Sequence, residues 1–145
     1  MDKTEVTELM ISLCSAFGVP MPLLSVASIE NDYRGKFDSK NYHVFVSPDT
    51  REQMMVTTYH EFRHVWQYHY YQVVYLIGVT SQTPYRYHML CEQAIESDAV
   101  HFGNSLGRQN MIHLLDYAYQ VTARELFAGP TLEYSLLVQG RPVGH

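Results

Sequence analysis

The segment Tyr59-His60-Glu61-Phe62-Arg63-His64-Val65-Trp66-Gln67 (YHEFRHVWQ, residues 59–67) decides how the rest of the chain is read. It contains His-Glu-x-x-His, a pattern that carries chemistry only on a helix. Residues four apart on a helix differ by about 40° around the axis and about 6 Å along it. The imidazoles of His60 and His64 would then project from one face and could meet one ion. An open tetrahedral zinc site needs three protein ligands and a water, and a carboxylate near that water can take its proton and pass it to a leaving amine. Glu61 suits that task better than direct ligation.

The flanking sequence supplies the helix. Ser47-Pro48-Asp49 has the grammar of a helix start: a capping hydroxyl, proline at the first helical position and an acid near the positive end of the dipole. A long helix is expected from there towards residue 75. Upstream, Val6, Leu9, Met10, Leu13 and Phe17 share one stripe at helical spacing, which predicts an amphipathic helix over 4–17 with Thr4 as its cap and Gly18 just past its end. Three short strands follow, Leu23 to Ile29, Tyr33 to Phe37 and Tyr42 to Ser47, joined by the polar turns Asn31-Asp32 and Asp38-Ser39-Lys40-Asn41. Gly78 and the segment Thr80 to Pro84 interrupt the helical pattern, which resumes over about 87–102 and again over 108–127. Thr131 to Val138 reads as extended within a tail over 131–145, whose glycine-containing end, Gly140 to His145, is where order is expected to be lowest. The fold class expected is α+β, a small meandering sheet packed on the helix that bears the histidines, in a single domain covering 1–145.

The missing ligand has to come from elsewhere in the chain. A third histidine three turns along would sit at position 70, but Tyr70 stands there and His69 is one residue off, so that arrangement is excluded. The helix around Cys91-Glu92-Gln93-Ala94-Ile95-Glu96-Ser97-Asp98 offers carboxylates instead. Glu92 and Glu96 share a face, whereas Asp98 lies about 200° around from Glu96 on a regular helix. Glu96 and Asp98 therefore cannot both point at one ion.

Two blocks of the chain resemble small gluzincin-type metallopeptidases, the group that includes the ImmA/IrrE-type proteins and the minigluzincins. In YHEFRHVWQ, His60 and His64 match the family's metal histidines and Glu61 its catalytic glutamate. ESDAVHF is similar to the family's Glu-x-Glu-Ala-Asn-x-Phe block, whose leading glutamate is the ligand, and this carries the third ligand onto Glu96. Asp98 stands where the second glutamate is usual, Val100 where asparagine is, and Gly103 where a small alanine is common. A thermolysin-like register would instead put Glu92 on the metal with Glu96 behind it. The resemblance implies a zincin-like fold and a Zn2+-dependent metalloendopeptidase with His60, His64 and Glu96 as metal ligands and Glu61 as general base and acid. It also implies a peptide or protein substrate held along a sheet edge, for which the strands at Tyr42 to Ser47 and Tyr33 to Phe37 are the candidates. The alternative is a non-catalytic zinc-binding regulatory or interaction module of the same fold.

Other residues invite plainer readings. Tyr68, Tyr70, Tyr71, Tyr85 and Tyr87 could line a pocket but are expected to be half-buried core. His69, His88, His101 and His113 are expected to be satisfied histidines rather than ligands. Val65, Trp66, Val73, Val74, Leu76 and Ile77 are expected to form core behind the metal-bearing helix.

Composition narrows the classes further. The 145 residues, 46% hydrophobic, suffice for one real core. Ten Lys plus Arg against fifteen Asp plus Glu leave a net charge of −5 with no basic cluster, so nucleic-acid binding is not expected. The longest apolar run, Val73 to Val79, falls far short of the roughly 20 residues that cross a bilayer. Glu5 and Glu8 occupy positions where a secretory signal would be basic and then apolar, so a cytoplasmic location is expected. Cys14 and Cys91 form no C-x-x-C pair, which predicts reduced, semi-buried thiols rather than a disulfide or thiolate cage.

Overall fold

The computed structural model of the chain describes residues 1–80 and 82–127. Over these residues the chain is α+β, with five α-helices and one three-stranded sheet. The elements are α1 (Lys3–Phe17), β1 (Leu23–Val26), β2 (Gly35–Asp38), β3 (His43–Val46), α2 (Arg51–Tyr70), α3 (Gln72–Val79), α4 (Tyr85–Asn104) and α5 (Ile112–Glu125). The extended segment expected at Thr131 to Val138 and the tail beyond it lie outside the described residues. No helix among those described is long and apolar enough to cross a membrane.

Helix α1 ends as expected, with Gly18 in the left-handed conformation (φ 68°), but starts differently. Its cap is Asp2, not Thr4: the Asp2 carboxylate accepts from the Glu5 backbone N–H at 2.9 Å and Glu5 reaches back to the Asp2 N–H at 3.3 Å. This reciprocal pair satisfies two end donors, which a hydroxyl at position 4 could not do. The start of α2 is also displaced. Ser47 N donates to Arg34 O at 2.9 Å, so Ser47 still belongs to the end of the sheet. Thr50 takes over as cap, its hydroxyl accepting from Gln53 N at 3.2 Å.

The sheet is not a meander. Its order is β1-β3-β2, with β1 parallel and β2 antiparallel to β3. The segment between β1 and β2 passes over the end of β3, where Ala27 N donates to Val46 O and Ser47 N to Arg34 O. That passage leaves the central place to β3, whose Val44 and Val46 are fully buried. The strand at Tyr42 to Ser47 therefore has both edges paired and cannot accept a further strand. β2 is the edge that remains beside α2.

The single helix expected towards residue 75 is two. Tyr71 (φ −132°, ψ 46°) ends α2 and begins α3 without a glycine or proline. Tertiary contacts hold the kink: the Tyr71 hydroxyl donates to Asp116 Oδ1 on α5 at 2.6 Å, and its ring packs on Trp66. The last helix is shorter than the expected 108–127, because residues 105–108 form a tight turn through Leu106 (φ 51°) and Gly107 (φ 82°) before α5 starts.

Helix α2 lies between two apolar clusters. One joins α1, the sheet and the Met54, Phe62 and Val65 side chains of α2; the other joins α3, α4 and α5 around Tyr68. Both cysteines are free and buried rather than half-buried, and burial pushes their thiols up, Cys14 to about 11 and Cys91 to about 12.

Candidate metal centre

His60 and His64 leave α2 one turn apart, and α4 crosses that face closely enough to add a carboxylate. The approach depends on Gly103, where a methyl group would lie 2.9 Å from the Val56 carbonyl oxygen and 3.1 Å from His60 Cβ. Glu96, two turns earlier on α4, then reaches both imidazoles: its Oε1 is 3.0 Å from His64 Nε2 and its Oε2 3.9 Å from His60 Nε2. One donor atom from each of the three residues lies within 4.8 Å of the others. Among the described residues they form the one such group of three. Zinc bonds of 2.0–2.2 Å at tetrahedral angles set neighbouring ligand atoms about 3.3 Å apart, which the two Glu96 separations of 3.0 and 3.9 Å bracket. Two imidazoles and a carboxylate are also a donor set that zinc takes in open catalytic sites.

The other carboxylates of α4 are occupied elsewhere. Glu92 sits 3.5 Å from His88 Nε2, one turn away along the same helix. Asp98 is fully buried and accepts from Arg63 Nε at 2.6 Å, Arg63 Nη2 at 3.2 Å, Gln67 Nε2 at 2.9 Å and Met111 N at 2.8 Å. The Arg63 guanidinium lies over the Trp66 ring at 3.8 Å, which completes its enclosure.

Glu61 is buried against β2. A methyl group on Gly35 would lie 2.7 Å from Glu61 Oε2 and 2.6 Å from Thr57 Cγ2, so the missing side chain is the space the glutamate uses. Burial pushes the Glu61 carboxyl up to about 7; the Glu96 charge adds to this and His64 opposes it. Burial alone would lower His64, but the Glu96 hydrogen bond and the Glu61 and Glu96 charges raise it well above the ordinary imidazole range. The His64 bond in turn holds Glu96 below the usual carboxylate range, while burial and then His64 lower His60. In the metal-free chain a proton on His64 thus supplies the positive charge among these acids.

A groove of about 930 Å³ opens onto this cluster. Its walls include His60, Glu61, His64, Glu96, Tyr75 and, from β2, Gly35, Lys36 and Phe37. The His64 side chain is 9% exposed and Glu96 53%, so the cluster has a buried side and a side open to solvent.

The tyrosines singled out in the sequence do not wall this groove. Tyr68 and Tyr87 are buried, Tyr70 donates to Gly18 O, and Tyr71 donates to Asp116. Tyr75 was given no role by the sequence, yet it lies beside His64 with ring centroids 6.0 Å apart. It is the one hydroxyl inside the apolar run Val73 to Val79, and that is the signal that could have marked it. Arg63 and Gln67 carry a similar signal, since polar residues interleaved with histidines on a packed helix call for partners. Of the other histidines, His69 pairs with the Tyr42 hydroxyl at 2.7 Å, His88 with Ile77 O and His101 with Ser97 O, while His113 is exposed.

No protein-family model matches the chain, and no curated protein or solved structure matches it either.

Proposed function

We propose that the chain is a zinc-dependent metalloendopeptidase of gluzincin type with a zincin-like fold, His60, His64 and Glu96 being its metal ligands. The observation that carries this reading is the meeting of two imidazoles from α2 with a carboxylate from α4 at an open groove, with the Glu61 carboxylate beside them. Bound zinc supplies Lewis acidity and lowers the pKa of a water to about 7. Glu61 takes the proton of the attacking water and delivers it to the leaving amine nitrogen. Gly35 holds that carboxylate in place by leaving it room. Tyr75, whose ring lies beside His64 and which lines the groove, is the candidate donor to the oxygen that gains charge at the scissile carbonyl. β2 is the sheet edge along the groove, and an extended substrate peptide can add to it by main-chain hydrogen bonds.

The test separates ligation from catalysis. Glu61→Gln is expected to keep one zinc per chain and lose cleavage of a peptide library read by mass spectrometry, whereas His60→Ala loses both. Cleavage by Glu61→Gln at the wild-type rate would overturn the assignment, and zinc without any cleavage in the wild type would favour the non-catalytic binding module.

A further inference from the structure

We infer that Gln67 is a positioning residue that fixes which nitrogen of His64 faces the metal, an inference that rests on the zinc-site reading above. Gln67 is completely buried one turn beyond His64 on α2. Its amide can be oriented from its surroundings alone. Both neighbours of Nε2 are acceptors, Ile95 O at 2.9 Å and Asp98 Oδ2 at 2.9 Å, so the NH2 group must point towards α4. Oε1 is then turned to His64 Nδ1 at 2.8 Å and can only accept. His64 must carry a proton on Nδ1, and Nε2 is the nitrogen left to face Glu96 and His60.

The orientation is held from α4. Asp98 cannot rotate to release Gln67, because its two oxygens are tied by Arg63 and by the Met111 backbone. The line Arg63–Asp98–Gln67–His64 therefore carries the packing of α2 on α4 into the orientation of one imidazole. An uncommitted ring would place either nitrogen towards the ion and turn about its Cβ–Cγ bond, and such loss of an outer hydrogen bond typically weakens metal sites about 10–100-fold.

Two substitutions separate this role from simple packing. Gln67→Met keeps the volume and removes the acceptor. Gln67→Glu keeps an oxygen that accepts from His64 Nδ1 and gives up the N–H bond to Ile95 O. Zinc dissociation constants would be measured by competition with a chromophoric chelator, alongside urea unfolding of each metal-free protein. Zinc binding is expected to weaken about 10–100-fold in Gln67→Met and to stay within about threefold of wild type in Gln67→Glu. Wild-type zinc affinity in folded Gln67→Met, or equal weakening in both variants, would overturn the inference. Nitrogen-15 spectra of histidine-labelled, zinc-loaded wild type give a test that needs no variant: zinc is expected on His64 Nε2 with the proton on Nδ1, and zinc on Nδ1 would overturn it. A wild type that takes up no zinc would instead bring down the function reading itself, and this inference with it.

Discussion

At Gly35 an added methyl group would meet Thr57 and the Glu61 carboxyl at 2.6 and 2.7 Å, distances that force either β2 or the carboxylate to move. Gly35→Ala is therefore predicted to keep bound zinc while kcat falls about 100-fold, the usual consequence of displacing a reacting group by about 1 Å. Steady-state kinetics with metal analysis on the same sample would check this, and unchanged kcat would mean that Glu61 is not positioned by β2. Asp98 has a different weight. Asp98→Ala leaves the Arg63 guanidinium buried and unpaired, with an expected cost of about 3–5 kcal/mol in the urea unfolding of the metal-free chain. The spacing of His60, Glu61 and His64 made their shared face legible in the sequence. Glu92 and Glu96 were not separable by spacing, because both share a helical face and only the crossing of α4 over α2 decides which one reaches the histidines. Gln67 and Tyr75 are marked in the sequence only as polar groups that need partners, because each acquires its role from a neighbour on another element.

The pairing of α2 with α4 is what assembles the three donors. Gly103→Val would press on the Val56 carbonyl and His60 Cβ, with an expected cost of about 1–3 kcal/mol. Because Glu96 rides on the same helix, zinc affinity should fall together with the thermal midpoint, and a loss of stability with undiminished zinc binding would show that α4 can shift without moving its carboxylate. The periodic helices were readable as elements, yet their ends were not. Asp2 and Thr50 cap α1 and α2 where Thr4 and Ser47 were expected, since Ser47 is claimed by the sheet through Arg34 O. The kink at Tyr71 has no local signal, because Asp116 and Trp66 hold it from elsewhere. The strands were visible as β-prone segments, but strands of four residues do not specify their order, which follows from burial of Val44 and Val46 and the passage of residues 27–34 over β3.

Across the whole molecule, the α+β class and the order of helix, sheet and helices were legible, because hydrophobic period distinguishes the elements even where their contacts are unknown. On the proposed reading the same architecture would tie metal binding to stability, since the three donors come together only when α2 and α4 are packed. A ligand that binds the folded chain alone adds about 2.7 kcal/mol at a hundred times its dissociation constant. Tm is therefore expected to rise with added zinc and return on chelation, by calorimetry, while no response would place the ion outside the folded core of the site. The most direct measurement for the central claim is zinc content per chain in Glu96→Ala and Glu92→Ala, purified side by side with wild type. One equivalent in wild type and in Glu92→Ala, with loss in Glu96→Ala, is the predicted result; zinc retained by Glu96→Ala and lost by Glu92→Ala would contradict it.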